Sequence, residues 1–166
     1  TVWTWGNNTA GKLGDGTTTN RTKPVKVASD VASLSIGYSH SAIIKKDGSL
    51  WTWGYNEYGE IGNNTTTACY APQKIMTGVS SVSLRGWHTV VMKKNGSLQT
   101  WGNNEYGQLG DGTTTNRLVP TKEEFYFVKA QQISASSRTV SNKTKSFSLN
   151  AKTNGKGKLS YSSSNK

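Results

Sequence analysis

An all-β fold assembled from tandem copies of one small sheet is the class this sequence predicts, and three observations predict it. First, a single offset of 48 residues relates Trp5-Gly6, Trp53-Gly54 and Trp101-Gly102. The same offset carries Leu13-Gly14-Asp15 onto Ile61-Gly62-Asn63 and Leu109-Gly110-Asp111, and Pro24 onto Pro72 and Pro120. It also carries His40 onto His88 and Asp47-Gly48 onto Asn95-Gly96. Second, short stretches such as Val79 to Leu84 alternate apolar and polar residues, the period of a half-buried strand. Third, only 33% of residues are hydrophobic and 17% charged, with abundant Gly, Thr, Ser and Asn, which suits strands and turns better than a helical bundle.

Each copy resolves into four strands. Val79 to Leu84 is the first, and His88 to Met92, with the β-branched pair Val90-Val91, is the second. Lys94-Asn95-Gly96-Ser97 reads as a two-residue hairpin turn with both central residues at positive φ, leading into a third strand, Leu98 to Trp101. Between copies, the stretch from Gly54 to Asn63 reads as compact turns whose Gly and Asn tolerate left-handed backbone. Pro72 to Met76 supplies the fourth strand, with proline at its start, where no ladder donor is lost. Four short strands per copy is the pattern of a propeller blade. Trp51 and Trp53 lie two apart and share one face of their strand, so the pair is expected to fill the wedge between blades, as Trp3 and Trp5 repeat. Gln99 takes the first of these places in the third copy.

Residues 1–128 are thus expected to form a partial β-propeller of four-stranded blades, two full blades plus parts. Propellers close with four or more blades. The chain opens on Thr1-Val2-Trp3 with no initiator Met and reads as a fragment. Either further blades lie upstream, or the stack is open and its edges invite self-association.

The motif Trp-Gly-Asn-Asn-x-x-Gly-x-Leu-Gly-Asp-Gly, then Pro, then Gly-x-x-His, then Asp-Gly-Ser-Leu-x-x-Trp-Gly, resembles the regulator of chromosome condensation repeat across residues 1–122. The resemblance implies seven-bladed propellers in the complete family members and a role in protein contacts. Its eukaryotic founder is a nuclear guanine-nucleotide exchange factor that also binds chromatin. The short repeats with Thr-rich loops look like the bacterial branch, found on large exported proteins.

Residues 129–166 differ in character. They carry 8 Lys/Arg and no acid, against 12 Lys/Arg and 9 Asp/Glu in residues 1–128. Such a segment attracts nucleic acid or another anionic polymer, or is simply a solvated Lys-rich surface. Its end, Leu159-Ser160-Tyr161-Ser162-Ser163-Ser164-Asn165, resembles the front half of a bacterial immunoglobulin-like group 2 domain, implying an incomplete β-sandwich segment. That family sits on exported or adhesive proteins. No apolar run is long enough to span a membrane, so no membrane insertion is expected.

Candidate chemistry is sparse. His40 and His88 are the acid–base candidates, but they occupy equivalent places in the repeat, which points to an architectural task such as bonding a neighbouring turn. With Trp5, Gly6, Trp53, Gly54, Trp101 and Gly102 they form the structural signature of the repeat. Asp15 and Asp111 lie in Gly-Asp-Gly-Thr loops that lack the spaced acidic ligands of a calcium site, and Cys69 is the sole cysteine. No catalytic constellation, cofactor or metal is expected. Tyr55, Tyr58 and Tyr106, with Arg21 and Arg117, are the candidate contact residues, because Tyr and Arg are enriched in interface hot spots. The expected function is a non-enzymatic protein-binding or scaffolding module of a bacterial surface or secreted protein. The alternatives are a GTPase- or chromatin-regulating propeller, like the eukaryotic relatives, and a carbohydrate-binding surface using exposed Trp.

Overall fold

The alternation in each copy becomes four antiparallel strands bonded in chain order. The computed structural model describes residues 1–123. β1 (Val2–Gly6) and β2 (Arg21–Ala28) form a two-stranded sheet. β3 (Val31–Ile36), β4 (His40–Lys45), β5 (Leu50–Gly54) and β6 (Cys69–Met76) form a four-stranded sheet. β7 (Val79–Arg85), β8 (His88–Lys93), β9 (Leu98–Gly102) and β10 (Arg117–Glu123) form another. β1 and β2 are the counterparts, one repeat earlier, of β5 and β6. The fold is part of a β-propeller, with two full blades and half of another.

Alternation decides which joint each side chain enters. On β4, Ala42 and Ile44 join a cluster with Leu50, Val79, Leu84, Val91 and Trp101, which glues the two full blades together. Ile43, between them in sequence, points the other way, into a cluster with Val2 and Trp53 against the half blade. Both faces of β4 are therefore apolar, and its burial is almost continuous.

Three local expectations are corrected. The Asp47-Gly48 and Asn95-Gly96 turns are not two-residue hairpins with two positive φ values. Only Gly48 (φ 79°) and Gly96 (φ 82°) are left-handed. In the first, the Gly48 N–H donates to Lys45 O and the Lys45 N–H to Ser49 O, both at 2.9 Å. This is a three-residue connection ending in a glycine bulge. Asp47 is not at positive φ and uses its side chain instead, accepting from the Ser49 N–H at 2.8 Å. Second, the fourth strands begin three residues before their prolines. Pro72 sits where the β5–β6 register slips between Thr52↔Gln73 and Gly54↔Cys69, a place where a missing N–H is tolerated. Third, of the described asparagines only Asn64 is left-handed (φ 63°); the others in these loops act through their side chains, as shown below.

Only the second tryptophan position fills the wedge, and only in the two full blades. Trp53 and Trp101 are fully buried. Trp51 is half-buried, with the Lys45 ammonium 4.4 Å from its ring centre. Trp3 and Trp5 are 53% and 61% exposed, because no sheet covers the outer side of the half blade among the described residues. The boundary expected at 128, the basic segment and the immunoglobulin-like stretch of residues 129–166 lie outside the described residues.

Candidate binding face

Each Trp-Gly pair builds a joint. Gly54 (φ +111°) has Ser39 O only 2.6 Å from where a Cβ would stand, and Gly102 (φ +101°) has Trp87 O at the same distance. The Trp53 indole N–H donates to Lys12 O at 3.0 Å and that of Trp101 to Glu60 O at 2.8 Å, so one carbonyl per copy anchors the next blade. The Ser41 and Thr89 hydroxyls donate to the same two carbonyls. His40 Nε2 lies 3.0 Å from Thr89 Oγ1. Because that hydroxyl spends its proton on Glu60 O, His40 must be the donor, with its proton on Nε2. Burial, and then the nearby His88, lower the His40 pKa to about 4, so its ring is neutral at pH 7. His40 is a strut between blades. His88 is half-buried, and burial lowers its pKa as well.

The loop behind each joint is organised by one buried asparagine. Asn8, Asn56 and Asn104 are each at most 1% exposed. The Asn56 amide donates to Asn63 Oδ1, Thr65 O and Thr67 O, while its oxygen accepts from the Ile61 N–H at 2.8 Å. Asn8 and Asn104 repeat these bonds toward Asp15 and Asp111. Those two aspartates accept from Arg21 and Arg117, at 2.5 Å and 2.7 Å. Burial pushes the Asp15 carboxyl up, but the Thr17 hydroxyl, Arg21, the Thr17 N–H and Asn8 together bring it down to about 2. The Thr113 hydroxyl, then Arg117, the Thr113 N–H and Asn104 outweigh burial and hold Asp111 well below the usual carboxylate range. Arg21 and Arg117 are therefore clamps of the Thr-rich loops. In the middle copy Asn63 and Cys69 take both places, and Asn63 turns its amide to Gln73 at 2.8 Å. Burial pushes the Cys69 thiol up.

Outside the outer strands, the copies differ most in one group of loops. Residues 7, 55 and 103 are Asn, Tyr, Asn; 10, 58 and 106 are Ala, Tyr, Tyr; 12, 60 and 108 are Lys, Glu, Gln; 39 and 87 are Ser and Trp. Tyr55 and Tyr58 have ring centres 6.4 Å apart, and Tyr58 and Trp87 5.9 Å, which makes a row of three aromatic rings. Trp87 is 46% exposed, and Tyr106, the counterpart of Tyr58, is 85% exposed. Of the expected contact residues, the structure thus groups Tyr55 with Tyr58 and gives Arg21 and Arg117 another task.

The family profile described as "Regulator of chromosome condensation (RCC1) repeat" matches residues 1–44, 47–92 and 95–140, and a second profile of the same description matches 31–60 and 79–108. The chain belongs to the RCC1 repeat family. Among solved structures, this RCC1-repeat chain is similar to human WBSCR16, at 23% identity over 78% of the chain, with a TM-score of 0.67. It is also similar to Prp20p from Saccharomyces cerevisiae, at 25% identity over 79% of the chain and a TM-score of 0.65, in a structure described with its binding to Gsp1p and histones. A third likeness, to yeast RCC1 (Prp20) bound to Kap60, has 24% identity over 79% of the chain and a TM-score of 0.62. The chain spans only about a third of these proteins, 36%, 36% and 34% of their lengths. No curated protein matches the sequence.

Each RCC1 match starts at a β5-type strand, so one repeat gives its first two strands to one blade and its last two to the next. Successive blades are stitched by the chain itself as well as by the joint. Sequence reasoning missed Asn8, Asn56 and Asn104, Glu60, Trp87 and Tyr38. The asparagines carried a signal, since each recurs three residues after its Trp. Trp87 and Tyr38 carried the opposite signal, breaking an otherwise faithful repeat.

Proposed function

We propose that this RCC1-repeat chain is a partner-binding module of a secreted or surface-attached bacterial protein, contacting a protein partner through the loops around Tyr55, Tyr58 and Tyr106. One observation carries the reading. The joints recur from copy to copy, whereas Tyr55 and Trp87 stand in one copy each and the tyrosine of Tyr58 and Tyr106 in two of three, so these aromatic residues serve no need shared by every blade. Repeat proteins place such variation on their binding face, and tyrosine supplies large contact area at low entropy cost. Prp20p, described as binding Gsp1p and histones, supports protein recognition by this fold. The Thr- and Asn-rich loops and the group 2 resemblance of the tail support a bacterial, exported setting. Affinity capture from the source organism's medium and membranes tests the reading. Tyr58→Ala with Tyr106→Ala should abolish recovery of the partner; undiminished recovery would exclude this face. Antibody labelling of intact cells carrying the parent protein tests the location.

A second reading, action on a GTPase or on chromatin, is favoured by the likeness to Prp20p. It requires accelerated nucleotide release, or nucleic-acid binding that weakens steeply with salt. Absence of both would remove it.

A further inference from the structure

We propose that the cleft flanked by Tyr38, Tyr55 and Trp87 is a saccharide-binding site. It has a volume of about 550 Å³ and opens between the first loop, the β3–β4 and β7–β8 turns and the loop after β5. Three aromatic side chains meet there, and Tyr38 and Trp87 are exposed by 78% and 46%. An architectural origin for these rings fails on the repeat itself. Trp53 and Trp101 recur because every joint needs them, but Tyr38 corresponds to Gly86, Trp87 to Ser39 and Tyr55 to Asn7 and Asn103. The three rings come from non-equivalent positions and converge on one cleft. Exposed aromatic groups at turn tips are costly to keep in water and mark contact sites.

The rest of the lining states the ligand chemistry. Asn7, Ser39 and Lys12 bring an amide, a hydroxyl and an ammonium, and no lining residue is acidic. Ser39 Oγ is shielded from solvent and has no hydrogen-bond partner among the described residues. A pyranose ring fits such a lining, because its C–H faces lie on aromatic rings while its rim of hydroxyls needs both donors and acceptors. A nucleic-acid strand fits poorly, since one lysine is too little charge to track phosphates. The site shares Tyr55 with the protein-binding loops, whereas Tyr58 and Tyr106 do not line it.

The test is a glycan array carrying chitooligosaccharides, α- and β-glucans, mannans and sialylated chains, probed with the full chain, followed by calorimetry on the strongest hit. Trp87→Ala and Tyr38→Ala should each weaken that binding at least tenfold. Tyr106→Ala should leave it within twofold, and near-ultraviolet dichroism should show every variant folded. No glycan bound above background, or full affinity in Trp87→Ala and Tyr38→Ala, would overturn the proposal. Protein capture lost only on changing Tyr58 and Tyr106, with glycan binding intact, would separate this site from the partner-binding face.

Discussion

Asn56 shows how much one side chain decides in this fold. Its amide and oxygen bind three backbone groups of a loop that has no ladder to satisfy them. Asn56→Ala leaves the buried Ile61 N–H without its partner and frees the Thr65 and Thr67 carbonyls, and we expect a loss of about 1–3 kcal/mol in urea unfolding. Glu60 and His40 set the pH response. The Glu60 side chain is fully buried, one oxygen accepting from the Tyr58 N–H at 2.9 Å and the other with no hydrogen-bond partner among the described residues. Burial raises its pKa from 4.5 to about 7. The fold thus holds more protons than the unfolded chain between those values, and stability falls as pH rises through them. His40, at about 4 against 6.5 unfolded, does the reverse, so stability grows as pH rises from 4 to 6.5. The two slopes oppose each other over the shared window. Glu60→Gln copies the glutamine that the third repeat carries as Gln108. It should raise Tm at pH 8 and unmask a positive slope approaching about 1 kcal/mol per pH unit below pH 6.5. A variant profile as flat as the wild type would contradict a neutral, buried His40.

At the scale of the element, the glycines of the loops separate conformational need from space. Gly16 and Gly62 both have positive φ, +81° and +83°. A Cβ on Gly16 meets open space, whereas on Gly62 it would stand 2.6 Å from Trp101 Nε1. Gly16→Ala should cost about 1 kcal/mol for the left-handed backbone alone. Gly62→Ala should cost about 3 kcal/mol or more, since it also displaces the buried indole. Thermal melts of the two variants decide it, and equal losses would mean that the joint yields freely. The Thr-rich loop offers another test, because Asp15–Arg21 and Asp111–Arg117 change together to Asn63 and Cys69 in the middle copy. Asn63→Asp with Cys69→Arg should be more stable than the two single changes predict, a favourable coupling in a double-mutant cycle. Strict additivity would mean that the clamp contributes only geometry.

For the whole molecule, position in the stack outranks identity in the repeat. Trp5 and Trp53 are the same residue of the same motif, yet one is 61% exposed and the other fully buried. Leu34 and Ile36, exposed by 45% and 67%, correspond to Val82 and Leu84, which pack into the cluster holding Ala42 and Ile44. Trp53→Ala should therefore cost about 3–5 kcal/mol, and Trp5→Ala of the same chain under about 1 kcal/mol, both read from denaturant midpoints. Similar losses would mean that Trp5 is covered in solution. The repeat period made the blades legible, since an offset kept without a gap leaves only one way to align strands, joints and loops. It could not show that Asn56 works through its amide, because an Asn-rich loop reads equally well as backbone turns. Nor could it show that Arg21 faces Asp15, six residues away across a folded loop.

The sequence by itself determined the strand order, the blade content and the places of the joint tryptophans, because those follow from a period and an alternation that are local and redundant. The tertiary structure alone decided which copies of a motif are buried and which loop residues meet in one cleft. Tyr38, Tyr55 and Trp87 come from three different segments and converge only when blade packs on blade, so no spacing along the chain encodes their meeting.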